Sequence, residues 1–139
     1  MRMPASQSWI ALLVGALLAA APALAAERIA VIANPALEDT LSREEIARLF
    51  LGRNGSYRVY DLPDRSPLKA RFYEKLLGKT LAQVNAERAR LAFSGRGTPP
   101  EELISAKAVK SAVASDPRAI GYIDGREVDE TVKVLLWLE

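Results

Sequence analysis

The 139-residue chain contains no histidine and no cysteine. Those two absences exclude an imidazole general base, a thiolate nucleophile, a zinc site of Cys or His ligands, a haem held by either, and any disulfide. Chemistry is left to carboxylates, cationic side chains, hydroxyls and backbone amides. An excess of one charge is missing too: 19 Lys and Arg stand against 17 Asp and Glu, a net charge of +2 with a pI near 9.0. That balance is too mild to argue for nucleic acid by itself, since a nucleic-acid binder usually shows a clustered basic face, and nucleic acid is not expected as a partner. There is no internal repeat, and no low-complexity tract beyond the N-terminal segment.

What is present begins with that segment. Arg2 precedes an apolar run from Trp9 to Leu18, and Pro22-Ala23-Leu24-Ala25 ends it with small residues at the two positions a signal peptidase reads. The pattern predicts a signal peptide over residues 1–25, cleaved near Ala25, and a periplasmic or secreted mature chain of residues 26–139. Its alternative is a retained anchor, because the apolar run continues to Ala26 and approaches a spanning length. No cysteine follows it to carry a lipid. Loss of Arg2 lowers the net charge by one, so any anion binding must be local. The remaining length suits one domain with one core, and without disulfides its stability in an oxidising compartment must come from packing.

The mature region alternates strand and helix signals. Ile29-Ala30-Val31-Ile32-Ala33 is a buried-strand run closed by Asn34-Pro35. Ser42 and Glu45 form a capping box for a helix ending at Gly52. Residues 57–62 read as a second strand. Ser66 and Pro67 open a helix running to Gly78, and Thr80 with Gln83 opens another that stops near Ser94-Gly95. A loop over residues 96–100 precedes a helix starting near Ser105 and ended by Asp116-Pro117. Residues 119–123 form a third strand, Asp124-Gly125 a turn, and residues 132–138 a last strand. The order predicts an α/β three-layer sandwich with a small, mixed or partly parallel sheet flanked by helices.

Several motif fragments fail on their partners. Gly78-Lys79-Thr80 matches the tail of a P-loop, but Tyr73 stands where that motif needs its first glycine. Ser66-Pro67-Leu68-Lys69 matches Ser-x-x-Lys without the companion motifs of that nucleophile. Asn54-Gly55-Ser56 fits a glycosylation acceptor, but a turn explains it sufficiently. Three places remain as anion-site candidates. The first is the helix start at Arg65 and Ser66, where the amides of Leu68 and Lys69, the helix dipole and a guanidinium all favour an oxyanion; the alternative is a plain cap with Arg65 paired to Asp64. The second is Arg96 between two glycines, or else an ordinary helix end. The third is Asn34 at the mouth of the first strand, since open α/β sheets bind ligands at strand carboxyl ends.

The runs Ile32-Ala33-Asn34-Pro35, Leu41-Ser42-Arg43-Glu44-Glu45-Ile46-Ala47-Arg48-Leu49-Phe50-Leu51-Gly52-Arg53, Phe93-Ser94-Gly95-Arg96-Gly97 and Pro117-Arg118-Ala119-Ile120-Gly121-Tyr122-Ile123 resemble the phosphate-type periplasmic substrate-binding proteins of ABC transporters. The chain is similar above all to their short relatives. The resemblance implies the type II periplasmic binding protein fold and a secreted protein that binds phosphate or a similar oxyanion, with no cofactor and no covalent chemistry. Full-length members close two lobes on the ligand, whereas this chain has material for one. Where they open the phosphate-facing helix with Ser-Gly-Thr, this chain has Arg65-Ser66-Pro67-Leu68, and Pro67 removes an amide donor. Two readings follow. One is a binding protein that works with an ABC transporter or pairs as a homodimer around its ligand. The other is a single-lobe envelope interaction module that has lost the ligand. An enzymatic use of Asp61 and Asp64, as metal ligands or acid and base, is a third and weaker reading.

Overall fold

A computed structural model describes residues 28–139. The signal segment and its cleavage point lie outside the described residues.

Strand β1 (Ile29–Ala33) is buried at all five positions, so its uninterrupted apolar run needs cover on both faces. It lies inside a five-stranded sheet of order β3-β2-β4-β1-β5. Both of its neighbours, β4 (Ala119–Asp124) and β5 (Lys133–Leu138), run antiparallel to it, with Val31 opposite Tyr122 on one side and Leu136 on the other. The register against β5 shifts between Val31 and Ile32. Strand β2 (Arg58–Asp61) runs parallel to β4, with Val59 opposite Ile120, and parallel to the two-residue β3 (Glu101–Glu102).

The helices form where the capping chemistry places them. Helices α1 (Arg43–Leu51) and α3 (Leu81–Phe93) each carry a complete capping box, from Ser42 with Glu45 and from Thr80 with Gln83. Helix α1 ends at Gly52, whose φ of 115° puts it in the left-handed region. Helix α2 (Pro67–Leu77) starts with proline at its first position, and α4 (Ala106–Ser115) is capped by the Ser105 hydroxyl. Asp124 closes the following turn by accepting from the Arg126 N–H.

Alternate residues of β4 sort the helices into layers. Gly121 faces α4, where an added Cβ would stand 2.5 Å from Val109 Cγ1. Tyr122 faces the other way and stacks on Phe72 of α2, with ring centroids 3.7 Å apart, while Phe50 of α1 meets it edge-on. One helix therefore covers one face of the sheet, and α1, α2 and α3 gather on the other, which is the three-layer α/β sandwich the alternation of signals implied. Strand β3 is the element the pattern did not announce. Two adjacent glutamates carry no apolar alternation; they become a strand by pairing with β2, and the Leu103 N–H extends the ladder to the Asp61 carbonyl at 2.9 Å. Every strand pairing and the core described fall within residues 29–138.

Candidate functional site

Strands β2, β3 and β4 are parallel, so their carboxyl ends lie together, where open α/β sheets place ligands. After β2 the chain turns through Pro63, Asp64 and Arg65, and the Ser66 N–H donates to the Pro63 carbonyl at 2.9 Å. Ser66 holds an extended N-cap conformation, yet its hydroxyl makes no capping bond. The first turn of α2 has little else to offer an anion. Pro67 lacks an N–H, and the Lys69 N–H donates to the Ser66 carbonyl at 3.1 Å. The Leu68 N–H is the donor that remains.

A groove of about 400 Å³ opens here between the start of α2 and the start of α4. Arg65, Ser66 and Leu68 line one wall; Ile104, Ser105 and Ala106 line another. Two helix N-termini thus share one opening, each contributing partial positive charge. The Ser105 hydroxyl accepts from the Ala108 N–H at 3.1 Å, which leaves the first amides of α4 toward the groove end of the helix. Arg65 is exposed and forms no ion pair among the described residues. Its neighbour Asp64 bonds instead to Lys69 at 2.7 Å and to Asn85 at 3.2 Å. Carboxylates stand on the same groove: Asp124, bonded to Arg126, and the exposed Glu127. Partial burial opposes ionisation of Asp124, but hydrogen bonds from the Arg126 side chain and N–H outweigh it and lower its pKa.

The six residues singled out from the sequence are therefore distributed unequally. Arg65, Ser66 and Leu68 come together at the groove. Lys69 belongs beneath it: its ammonium is fully buried, 2.7 Å from Asp64, 3.6 Å from Glu102 and 3.9 Å from Asp61. Asn34 lies at the opposite end of the sheet, since Ala33 pairs with Ile120 near the start of β4. Its amide Nδ2 donates to the carbonyls of Val113 and Ala114 at the end of α4, and its Oδ1 accepts from the Ala36 N–H. Arg96 sits in the loop after α3, where its N–H donates to the Leu91 carbonyl, and it does not line the groove.

A buried polar cluster supports the groove from below. Asp61, with no exposed surface, accepts from the Tyr73 and Tyr122 hydroxyls at 2.5 Å each, from Arg88 Nη2 at 2.9 Å and from the Leu62 N–H at 2.7 Å. Arg88 also donates to the Tyr73 hydroxyl and grips the Phe50 carbonyl through Nε at 3.0 Å and Nη2 at 2.7 Å. Burial first, and the Asp61 charge second, push the phenols of Tyr73 and Tyr122 well above their ordinary range. This carboxylate is enclosed and meets no solvent, so it ties β2, β4, α2 and α3 together. The sequence signal for it was slight: one aspartate at the end of the run Val59-Tyr60-Asp61-Leu62, the kind of charge that a buried strand keeps only when partners satisfy it. Among the described residues no group of acidic side chains is arranged to hold a metal ion.

The sheet order, the layers and the groove at the strand carboxyl ends define one lobe of the periplasmic binding protein fold. Solved structures share it, among them these two. An ABC-type phosphate transport receptor from Vibrio cholerae superposes with a TM-score of 0.57 at 19% identity, over 77% of this chain and 44% of that one. A putative phosphate ABC transporter substrate-binding protein from Clostridium perfringens, with bound phosphate, superposes with a TM-score of 0.55 at 20% identity, over 77% of this chain and 43% of that one. The chain thus spans less than half the length of either neighbour. No family model and no curated protein sequence matches it.

Proposed function

We propose that this chain is an exported, periplasmic solute-binding protein that takes phosphate or a similar oxyanion in the groove between α2 and α4, in the service of an ABC transporter. The observation that carries the reading is the convergence of two helix N-termini, the uncommitted Ser66 hydroxyl and the unpaired Arg65 on one opening. The structural neighbours, one of them with bound phosphate, supply the ligand class. An anion on a single lobe stays half in water, where charge-assisted bonds are weak, so affinity is low unless a second copy closes over the ligand. No step of covalent chemistry is required, and the enclosure of Asp61 argues against the enzymatic reading.

The acidic lining favours a second reading. Asp124 and Glu127 repel an anion, Pro67 and the engaged Lys69 N–H remove two donors, and a lobe of this kind works equally as an envelope interaction module without a ligand. Thermal unfolding of residues 26–139 with phosphate, sulfate or chloride at constant ionic strength separates the two. A ligand specific to the folded state adds about 2.7 kcal/mol at a hundredfold excess over its Kd. The binding reading expects a phosphate-selective rise in midpoint that is lost in Arg65→Ala/Ser66→Ala. It also expects a rise enhanced in Pro67→Ala, where the restored N–H adds about 0.5–1.5 kcal/mol, a few-fold in Kd. Sedimentation with and without phosphate reports whether two copies close on it. No rise with any anion leaves the interaction module.

A further inference from the structure

A second opening lies far from that chemistry in character and shares no residue with it. Between the end of α1 and the second half of α3 is a cleft of about 350 Å³ lined by Arg48, Arg53, Arg90, Glu87, Leu51 and Leu91. Glu87 is neutralised by Lys79 at 2.5 Å. The three arginines are exposed, and none has a carboxylate partner among the described residues. The loop carrying Arg96 folds back on this side, its N–H on the Leu91 carbonyl at 2.9 Å. Phe93, one turn beyond Arg90 on α3, stands 96% exposed.

Helix dipoles account for Arg48 and Arg90 singly, because each lies in the last turn of its helix. They do not account for Arg53 and Arg96 beyond the helix ends, nor for the exposed phenyl ring of Phe93 at the end of α3. Guanidinium forks match phosphate oxygens, the two leucines offer an apolar floor, and an aromatic ring is at home among lipid headgroups. In a chain whose overall charge is nearly balanced, three arginines that line one cleft and have no carboxylate partner among the described residues, with Arg96 in the loop that follows α3, make a local field that an anionic surface complements. We propose that this face docks on an anionic phospholipid bilayer, with Arg48, Arg53, Arg90 and Arg96 on the headgroup phosphates and Phe93 inserted at the interface.

The test is partition of residues 26–139 onto phosphatidylcholine vesicles with and without a fraction of phosphatidylglycerol, followed by co-sedimentation. One basic side chain near an anionic surface is worth about fivefold in partition, so Arg48→Gln/Arg53→Gln/Arg90→Gln should lose roughly a hundredfold. Phe93→Ser, at unchanged charge, should weaken binding several-fold, and high salt should abolish it. All the altered side chains are exposed, and unchanged circular dichroism shows that the fold is retained. Equal binding to neutral vesicles overturns the proposal, as does full binding by the triple variant. Failure to bind anionic vesicles, with inorganic phosphate or an acidic protein captured at the cleft instead, overturns it as well.

Discussion

Replacing Asp61 by asparagine keeps the shape of the side chain and removes its charge. In the native structure that carboxylate satisfies two phenols, one guanidinium and one amide, and lies 3.9 Å from the buried Lys69 ammonium. The asparagine amide presents an NH2 where one of these donors now points, and it leaves Arg88 and Lys69 inside without their shared counter-charge. Breaking a buried pair in this way costs about 3–5 kcal/mol. A domain's whole margin is about 5–15 kcal/mol, so Asp61→Asn should remove a large share of the stability of residues 26–139. Equilibrium urea unfolding followed by circular dichroism measures the change directly. As a comparison, Asp129→Asn removes an exposed partner of Lys110 and should leave the midpoint nearly unmoved. A loss below about 1 kcal/mol for Asp61→Asn, the level of a surface pair, would refute the claim that this cluster holds the strands and helices together.

Two further outcomes follow from the same interior. The folded pKa values of Tyr73 and Tyr122 lie above the ordinary 10.0, so their contribution is fully present below pH 10 and falls away as the pH rises beyond it, by about 1.4 kcal/mol per pH unit for each phenol. An alkaline titration read by phenolate absorbance and circular dichroism together should show these two phenols ionising only in the unfolding step; ionisation ahead of unfolding would contradict their burial. Gly121→Ala drives a Cβ to 2.5 Å from Val109 Cγ1 and 3.3 Å from Val113 Cγ2, an overpacking cost of about 1–3 kcal/mol in urea unfolding, and Val109→Ala in the same chain should recover part of it. A neutral Gly121→Ala would mean that α4 does not approach the sheet so closely.

Local chemistry made most of the elements legible from the sequence. A helix start is declared by two residues three apart, as at Ser42 with Glu45 and Thr80 with Gln83, and both boxes form as read. The five-residue run at Ile29 needs burial on both faces, and it received the most enclosed place available to it, between β4 and β5. Such signals act within one turn or one strand and carry no knowledge of the rest of the chain. What tertiary structure alone decided is where distant pieces meet. It recruited Glu101 and Glu102 as a strand because the β2 edge was open. It brought Ser66 and Ser105 to one groove and sent Asn34 to the far end of the sheet, because β1 runs antiparallel to β4. It turned Lys69 from a helix-start residue into a buried cation, and gave Asp61 its partners from Tyr73, Arg88 and Tyr122. Spacing of 12, 27 and 61 residues separates Asp61 from those three, and no local rule acts over such distances. Secondary structure follows from neighbouring backbone groups, but a site follows from the folding of the sheet, which brings residues distant in sequence to one place.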